Sequence, residues 1–490
     1  MKSIPLLHLM AAGTLWVLSA AKCAAQTWQT VDQFQLVPGL PSSAGDIGVD
    51  AGGSLFCVGS GDVTANGAHA AAVRASTDGG QSWTSLDAFL PTGWSFAHYR
   101  GFGAAPNGSL FAGGELWDGN TFTRNWVVQQ STDGGANWSV SDLIDLGTGS
   151  QASCGDIKAS PSGAIYAAGR NSHWLVRRSI NSGATWNTVD EVPAAGLSEA
   201  RAIAFHPNGS IFVAGHLYDP QTGTSQWGVR RSLNDGATWT TVDTYAEERT
   251  AGAGAEDITV DNSGALYVAG TARIKAKNLY IDYWVVRRSV DAGATWTSVD
   301  KFSINNQAPS PTGIALDSAG RIYVCGYSGQ PTHWLVRKGT PGNKGTITWI
   351  ISDDYQLATG QSARANDITR DQVGNMLVTG RVADTSGTRV SSASCTARSA
   401  PPSTSSKRPS GTSPCRSAAR ARSDVVAIAV SGVLSDGFQT TGSPQTSASA
   451  AFQLQTATGK LKALITATGP SGCHVSVRRW PGRSEAIERP

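Results

Sequence analysis

An all-β propeller of four-stranded blades is the fold this sequence predicts: seven blades by the count of its repeats, eight as the alternative, with the ring closed by pairing of the N- and C-terminal strands. Three observations predict it. Tryptophans that open the last strand of each unit fall at Trp28, Trp83, Trp138, Trp186, Trp239, Trp296 and Trp349, spaced 48 to 57 residues apart, the length of four short strands with their turns. Between them lies a second recurring phrase of strand, turn and strand. Composition agrees, with 56 glycines and 16 tryptophans against only 15% charged residues. Four antiparallel strands repeated radially leave only short, protected sheet edges.

Within the unit, the order is legible from Asp257 onward. An inner strand from Asp257 to Asp261 turns at Gly264 into a second from Ala265 to Ala269; a third from Trp284 to Arg288 turns through Ser289-Val-Asp291-Ala-Gly293 into an outer strand from Thr295 to Lys301. Serine and aspartate side chains bond a turn's own backbone, and glycine supplies positive φ. Counterparts of the opening phrase begin at Asp46, Gly101, Asp156, Ala202, Gly313 and Asp367. Ahead of them all, Trp28 to Phe34 reads as an outer strand without its three predecessors. The phrase from Asp367 to about Val390 supplies those three, so the two ends latch the ring and remove exposed sheet edges.

Five copies of the hairpin turn are clean. They are Ser76-Thr-Asp78-Gly-Gly80-Gln-Ser-Trp83, Ser131-Thr-Asp133-Gly-Gly135-Ala-Asn-Trp138, Ser179-Ile-Asn181-Ser-Gly183-Ala-Thr-Trp186, Ser232-Leu-Asn234-Asp-Gly236-Ala-Thr-Trp239 and Ser289-Val-Asp291-Ala-Gly293-Ala-Thr-Trp296. This pattern resembles the Asp-box, or BNR, repeat of the sialidase-like superfamily. The resemblance covers roughly residues 27 to 390 and implies a propeller with the turn joining strands three and four on the outer rim. A residue present in every blade suits a turn better than a single asymmetric site, and asparagine stands in for aspartate in two copies. These side chains are therefore expected to be structural. The same holds for the aspartates four residues past each tryptophan: Asp32, Asp87, Asp142, Asp190, Asp243, Asp300 and Asp353. In the recurring pairs Arg177-Arg178, Arg230-Arg231 and Arg287-Arg288, one arginine is expected to stack on a tryptophan or pair with a recurring aspartate, the other to be solvated.

The ends differ from the middle. Met1 to Ala25 reads as a secretory signal peptide cut before Gln26, which implies a secreted, periplasmic or extracellular protein. Its apolar run is too short for a membrane span. Residues 26–390 form the propeller, 391–423 a basic linker rich in Ser, Ala, Pro and Arg, and 424–490 a degenerate β-like tail in which Phe452 to Ile465 reads as the remnant of an eighth unit. Net charge is only +3, with 39 Lys+Arg against 36 Asp+Glu, so no nucleic-acid partner is implied. The cysteines left after cleavage make no metal-ligand spacing, and no motif calls for a cofactor or metal. Cys395 and Cys415 are one candidate disulfide; Cys57, Cys154 and Cys325 read equally well as buried thiols.

Any site belongs where the units differ. Residues opening the inner strands face the channel mouth and vary between units: Asp46, Arg100, Asp156, Arg201, Glu256 with Asp257, Thr312, and Asp367. Mixed carboxylates and arginines suit a polar or sugar-like ligand, and two carboxylates could cleave a glycoside. Unit-specific stretches add aromatics that could stack on sugars: Leu90 to Tyr99 with Trp94, Glu115 to Asp118 with Trp117, His216 to Asp219 with Tyr218, and Lys275 to Tyr283. Sialidases carry a Phe/Tyr-Arg-Ile-Pro motif near the start of the domain, and Phe34-Gln-Leu-Val-Pro38 lacks its arginine, so their three-arginine clamp is not carried over. The first functional reading is a non-catalytic module binding a glycan or an extracellular protein. The alternative is a glycoside hydrolase of sialidase-like type.

Overall fold

The computed structural model describes residues 28–193, 196–245, 250–304, 307–396, 447–456 and 459–468. The signal segment, Cys23, Cys415, Cys473 and residues 397–423 of the expected linker lie outside them.

After β1 (Trp28–Phe34) the chain runs through successive antiparallel meanders. The first is β2 (Ser42–Val49), β3 (Leu55–Asp62), β4 (His69–Ser76) and β5 (Thr84–Phe89); the second is β6 (Phe96–Ala104), β7 (Leu110–Asp118), β8 (Thr123–Ser131) and β9 (Ser139–Ile144). Next come β10 (Ala152–Ala159), β11 (Ile165–Asn171), β12 (Trp174–Ser179), β13 (Asn187–Val192), and β14 (Glu199–Phe205), β15 (Ile211–Asp219), β16 (Thr224–Ser232), β17 (Thr240–Tyr245). Two more follow, β18 (Thr250–Val260), β19 (Leu266–Ala276), β20 (Leu279–Ser289), β21 (Thr297–Phe302), and β22 (Ser310–Leu316), β23 (Ile322–Ser328), β24 (His333–Pro341), β25 (Ile347–Tyr355). Last are β26 (Ala363–Arg370), β27 (Met376–Ala383) and β28 (Arg389–Thr396), whose fourth strand is β1. The register runs from Trp28 opposite Thr396 to Phe34 opposite Ser391.

This is a propeller of four-stranded blades, but its sheets are not seven separate ones. Five four-stranded sheets stand apart, and β2 to β9 form one eight-stranded sheet. A single parallel bridge, His69 opposite Phe96, fuses those two meanders, with the His69 N–H donating to the Ser95 carbonyl (3.0 Å) and the two rings 4.7 Å apart. Nor do the described residues of the tail form an eighth blade: β29 (Ser447–Thr456) and β30 (Gly459–Thr468) make a two-stranded hairpin, in the second of the two units, 1–402 and 403–490, into which the chain divides. The expected boundary at 390 falls inside β28, because β1 needs a partner as long as itself.

Burial follows the repeat. Trp126, Trp174, Trp227, Trp284 and Trp334 open or lie in third strands and are all fully buried, each in a cluster that also draws on neighbouring meanders. A buried aromatic of this size contributes on the order of 3 kcal/mol, so the core is a series of inter-blade seams rather than one central mass.

The five Ser-x-Asp/Asn-x-Gly turns share one geometry. In the last copy, the Gly293 N–H donates to Ser289 Oγ (2.9 Å), Ser289 Oγ donates to Asp291 Oδ1 (2.8 Å), and the Thr295 N–H donates to the same oxygen (2.8 Å). Equivalent serine–glycine bonds of 2.8–2.9 Å hold Gly80, Gly135, Gly183 and Gly236. Gly293 sits at φ +82°, and an added Cβ would lie 2.6 Å from Phe212 of the preceding meander, so turn conformation and blade packing both exclude a larger residue. Trp83, Trp138 and Trp239 each donate Nε1–H to the turn glycine's carbonyl at 3.0–3.1 Å, whereas Trp186 donates to Ser141 Oγ instead. Hydrogen bonds from Thr295, then from Ser289, hold the exposed Asp291 carboxyl down at about 2. Asp133 is held at about 2 by Asn137 and Ser131.

Recurring arginines and aspartates meet between blades. The first arginine of each pair reaches back to the aspartate of the preceding outer strand: Arg177 to Asp142, Arg230 to Asp190, Arg287 to Asp243, with Arg337 to Asp300 as well, all two-pronged at 2.7–2.9 Å. Arg74 pairs with Asp32 through a single nitrogen and donates with the other terminal nitrogen to the Trp83 carbonyl (3.2 Å), tying β4 to β1. Of the second arginines, Arg178 and Arg288 stack on Tyr166 and Tyr267 rather than being solvated, and Arg231 donates to the Ala292 carbonyl (2.8 Å). Among the described residues, two of these aspartates have no arginine partner. Asp87 faces a blade that carries Gln129 where others have arginine, and at Asp353 the register position belongs to Ser394. Burial pushes both carboxyls up, Asp353 to about 6 with Asp354 adding to the rise.

Candidate functional site

A cavity of about 760 Å³ runs along the inner strands, and all seven channel candidates, Asp46, Arg100, Asp156, Arg201, Glu256, Asp257 and Asp367, line it together with Thr312. The cause is local. Each inner strand carries a one-residue bulge at the same place, between Ala44 and Asp46, Tyr99 and Gly101, Cys154 and Asp156, Ala200 and Ala202, Ala255 and Asp257, Pro311 and Gly313, Ala365 and Asp367. A bulge turns two consecutive side chains toward the same region. Gly45, Arg100, Gly155, Arg201, Glu256, Thr312 and Asn366 are the extra residues.

The residue after the bulge alternates between aspartate and a small side chain: Asp46, Gly101, Asp156, Ala202, Asp257, Gly313, Asp367. Each aspartate reaches across to the next inner strand and accepts a backbone N–H. Asp46 takes that of Phe102 (2.6 Å), Asp156 that of Ile203 (2.9 Å) and Asp257 that of Ile314 (2.6 Å). Asp367 takes the N–H of Ile47 (3.1 Å), joining β26 to β2. The small residues make room: a Cβ on Gly101 would lie 2.7 Å from the Asp156 Cα, and one on Gly313 2.8 Å from Asp367 Oδ1. Four of the seven candidates are therefore staples between blades as well as cavity wall.

Where the staples are acidic the cavity holds one lysine. Two residues past the bulge position stand Gly48, Gly103, Lys158, Ala204, Thr259, Ala315 and Thr369, so Lys158 is the single long side chain of that ring. Its Nζ lies 3.4 Å from Asp156 Oδ1 and 4.0 Å from Asp46 Oδ2. Burial works against its charge, but Asp156, Asp46, Asp367 and Asp257 outweigh burial and hold the ammonium above its ordinary range. Burial raises Asp257 to about 7; burial, with the adjoining Asp46 carboxyl, also holds Asp367 well above the ordinary carboxylate range.

Towards the start of the inner strands charge is paired differently. Glu115 is buried between Arg100 (3.0 Å) and Arg124 (2.8 Å); burial alone would raise it, but the two guanidiniums bring it to about 2. Arg201 bridges Glu199 (3.3 Å) and Glu256 (3.7 Å), and Glu256 also contacts His216 Nε2 (3.1 Å). His98 accepts or donates to Ser60 Oγ (2.7 Å), and burial, with Arg100 nearby, keeps it neutral with a pKa of about 3.

Trp94, Trp117 and Tyr218 do not line the cavity. Trp94 packs against the buried cluster that contains Ala97 and Tyr99, Trp117 lies edge-on to Phe96 under Arg124, and Tyr218 pairs with Ser225 across the β15–β16 hairpin. Of the four stretches expected as loops, Leu90 to Tyr99 is loop as far as Ser95 and then enters β6, while the other three are strand: Glu115 to Asp118 ends β7, His216 to Asp219 ends β15, and most of Lys275 to Tyr283 extends the β19–β20 hairpin. Residues missed from the sequence are Lys158, Glu199, Asn366, Arg381 and Arg389, all on the cavity wall, which His98 of the Leu90 to Tyr99 stretch also lines. Register supplies part of the missing signal: two residues past the bulge position, Lys158 is the one long side chain among glycine, alanine and threonine.

Among the described residues no group of three or more His, Cys, Asp or Glu side chains could hold a metal ion, and no helix is long and apolar enough to cross a membrane. Cys57, Cys154 and Cys325 are free thiols, and burial pushes Cys57 to about 12.

No family model and no curated protein matches the chain. Similar solved structures include the α-L-arabinofuranosidase Arb93A of Fusarium graminearum, at 11% identity and TM-score 0.44 over 76% of this chain and 98% of that one. An ulvan lyase of polysaccharide lyase family PL25 gives 13% and 0.49 over 73% and 94%, and YCF48 bound to a D1 peptide gives 13% and 0.44 over 74% and 96%. The fold stated above rests on the strand pairing of the chain itself.

Proposed function

We propose that this chain is an exported Asp-box propeller that binds carbohydrate at the mouth of its channel. In this reading the eight-stranded sheet counts as two blades, which with the other five sheets makes seven, and the β1–β28 pairing closes the ring. The observation that carries the proposal is that residues differing from blade to blade, Arg100, Lys158, Glu199, Arg201, Glu256 and Asn366, gather on one polar cavity while the shared residues build turns and seams. Hydroxyl-rich ligands are recognised by such fixed donors and acceptors. Binding without turnover is the first reading because the carboxylates are committed: four to backbone N–H groups, the glutamates to arginines. A panel of immobilised glycans, followed by calorimetry on hits, tests it, and absence of any hit defeats it.

Glycan processing is the second reading, and the observation favouring it is Asp257, which keeps its proton to near neutrality inside the cavity. Turnover of fluorogenic glycosides or polysaccharides that is lost in Asp257→Asn decides for it. Asparagine is the substitution of choice because its carbonyl still accepts the Ile314 N–H.

A further inference from the structure

We infer that Arg364, Arg381 and Arg389 form a subsite for an oxyanion carried by the ligand, a carboxylate or a sulfate ester on a sugar; the inference rests on the carbohydrate reading above and names the chemical class. The three arginines come from adjacent strands of one sheet: Arg364 on β26 lies directly opposite Arg381 on β27, and Arg389 on β28 is opposite Ala383. They surround a side cavity of about 200 Å³, and Arg381 and Arg389 line the main cavity too, so the two spaces share a wall.

Charge accounting sets this group apart. The other arginines on the main cavity are neutralised, Arg100 by Glu115 and Arg201 by Glu199 and Glu256. Among the described residues Arg381 and Arg389 have neither ion pair nor side-chain hydrogen bond, and Arg364 has only the Tyr327 ring, 4.4 Å from its guanidinium. Around them stand His69, which faces Arg389 but is itself paired with Asp62, and Gln361, which is uncharged. Burial, then Arg389 and Arg364, lowers Arg381 to about 10, the mark of cations crowded without a counter-charge. Like charges held together oppose folding unless something neutralises them. Planar guanidiniums present paired N–H donors that match the oxygens of carboxylate or sulfate. The free space beside them is where such a group fits.

The test uses the whole secreted protein with Arg381→Gln and Arg364→Gln, measured against a uronate oligosaccharide, a sulfated oligosaccharide, a neutral oligosaccharide of equal length, and sodium sulfate alone. Expected is preference for one acidic oligosaccharide over the neutral one, with a roughly ten- to hundred-fold loss in either variant and little change for the neutral ligand. The ligand-free Arg381→Gln protein should also melt at higher temperature, since it relieves repulsion; a residue holding structure would do the reverse. Neutral and acidic ligands bound equally, and equally by the variants, overturn the subsite while leaving the carbohydrate reading. Thermal stabilisation by sulfate that is lost in Arg381→Gln, with no oligosaccharide bound, keeps the anion site and removes the carbohydrate reading. No response to any anion overturns the subsite outright.

Discussion

Asp243 and Asp353 hold the same place in their units and should respond to the same substitution in opposite directions. Asp243 is buried against Arg287, whose guanidinium grips both its oxygens at 2.8 Å. Asp243→Asn leaves that guanidinium without its counter-charge, at a cost of about 3–5 kcal/mol. Asp353 has no arginine, and burial raises it to about 6. An unfolded aspartate titrates near 3.9, so between about pH 4 and 6 the folded chain binds the extra proton and stability falls as pH rises. Two pK units correspond to about 3 kcal/mol, which partial exposure to water reduces to about 1–2 kcal/mol. Asp353→Asn should therefore stabilise the protein by that amount above pH 6 and do nothing below pH 4. Thermal unfolding followed by circular dichroism at pH 4, 5, 6 and 8 reads both, with a rise of roughly 2–4 °C for Asp353→Asn at pH 8. Destabilisation by Asp353→Asn at pH 8, or a gain that is independent of pH, would refute the claim that arginine pairing decides the sign.

Other perturbations follow from the same geometry. Ser289→Ala removes the acceptor for the Gly293 N–H and should cost about 1–3 kcal/mol, read as a lower urea midpoint with an unchanged slope. Gly293→Val meets both a left-handed backbone and the Phe212 ring, and should lower expression of folded protein more than Gly134→Val, whose Cβ would meet nothing within 4 Å. Lys158→Met withdraws the cation from four neighbouring aspartates; the melting temperature should drop at pH 8 and recover towards pH 4–5 as those carboxyls take up protons.

Repetition made the blades readable before any coordinates. Ser-x-Asp-x-Gly-x-x-Trp fixes a turn through its own side chains, so its five copies announced five hairpins, and the tryptophan spacing gave the strand count. Fusion of the first two meanders was invisible because it depends on one backbone bridge, His69 to Phe96, that no pattern encodes. The inward direction of Asp46, Asp156, Asp257 and Asp367 was also legible, yet their work was not: a carboxylate that accepts an N–H from the next blade looks in sequence like one that faces solvent. Arg381 and Arg389 escaped notice for another reason. They lie on second and third strands, β27 and β28, whereas the cavity they reach is lined mainly by first strands.

Seven inner strands alternating between an acid and a small residue pose a problem of counting. A row of two alternating kinds with an odd number of members begins and ends on the same kind, and here the first and last, Asp46 and Asp367, lie against one another where β26 meets β2. An even number of inner strands would have ended on a small residue instead. A single acid-to-acid contact thus arises from arithmetic alone, without any residue having been added to create it.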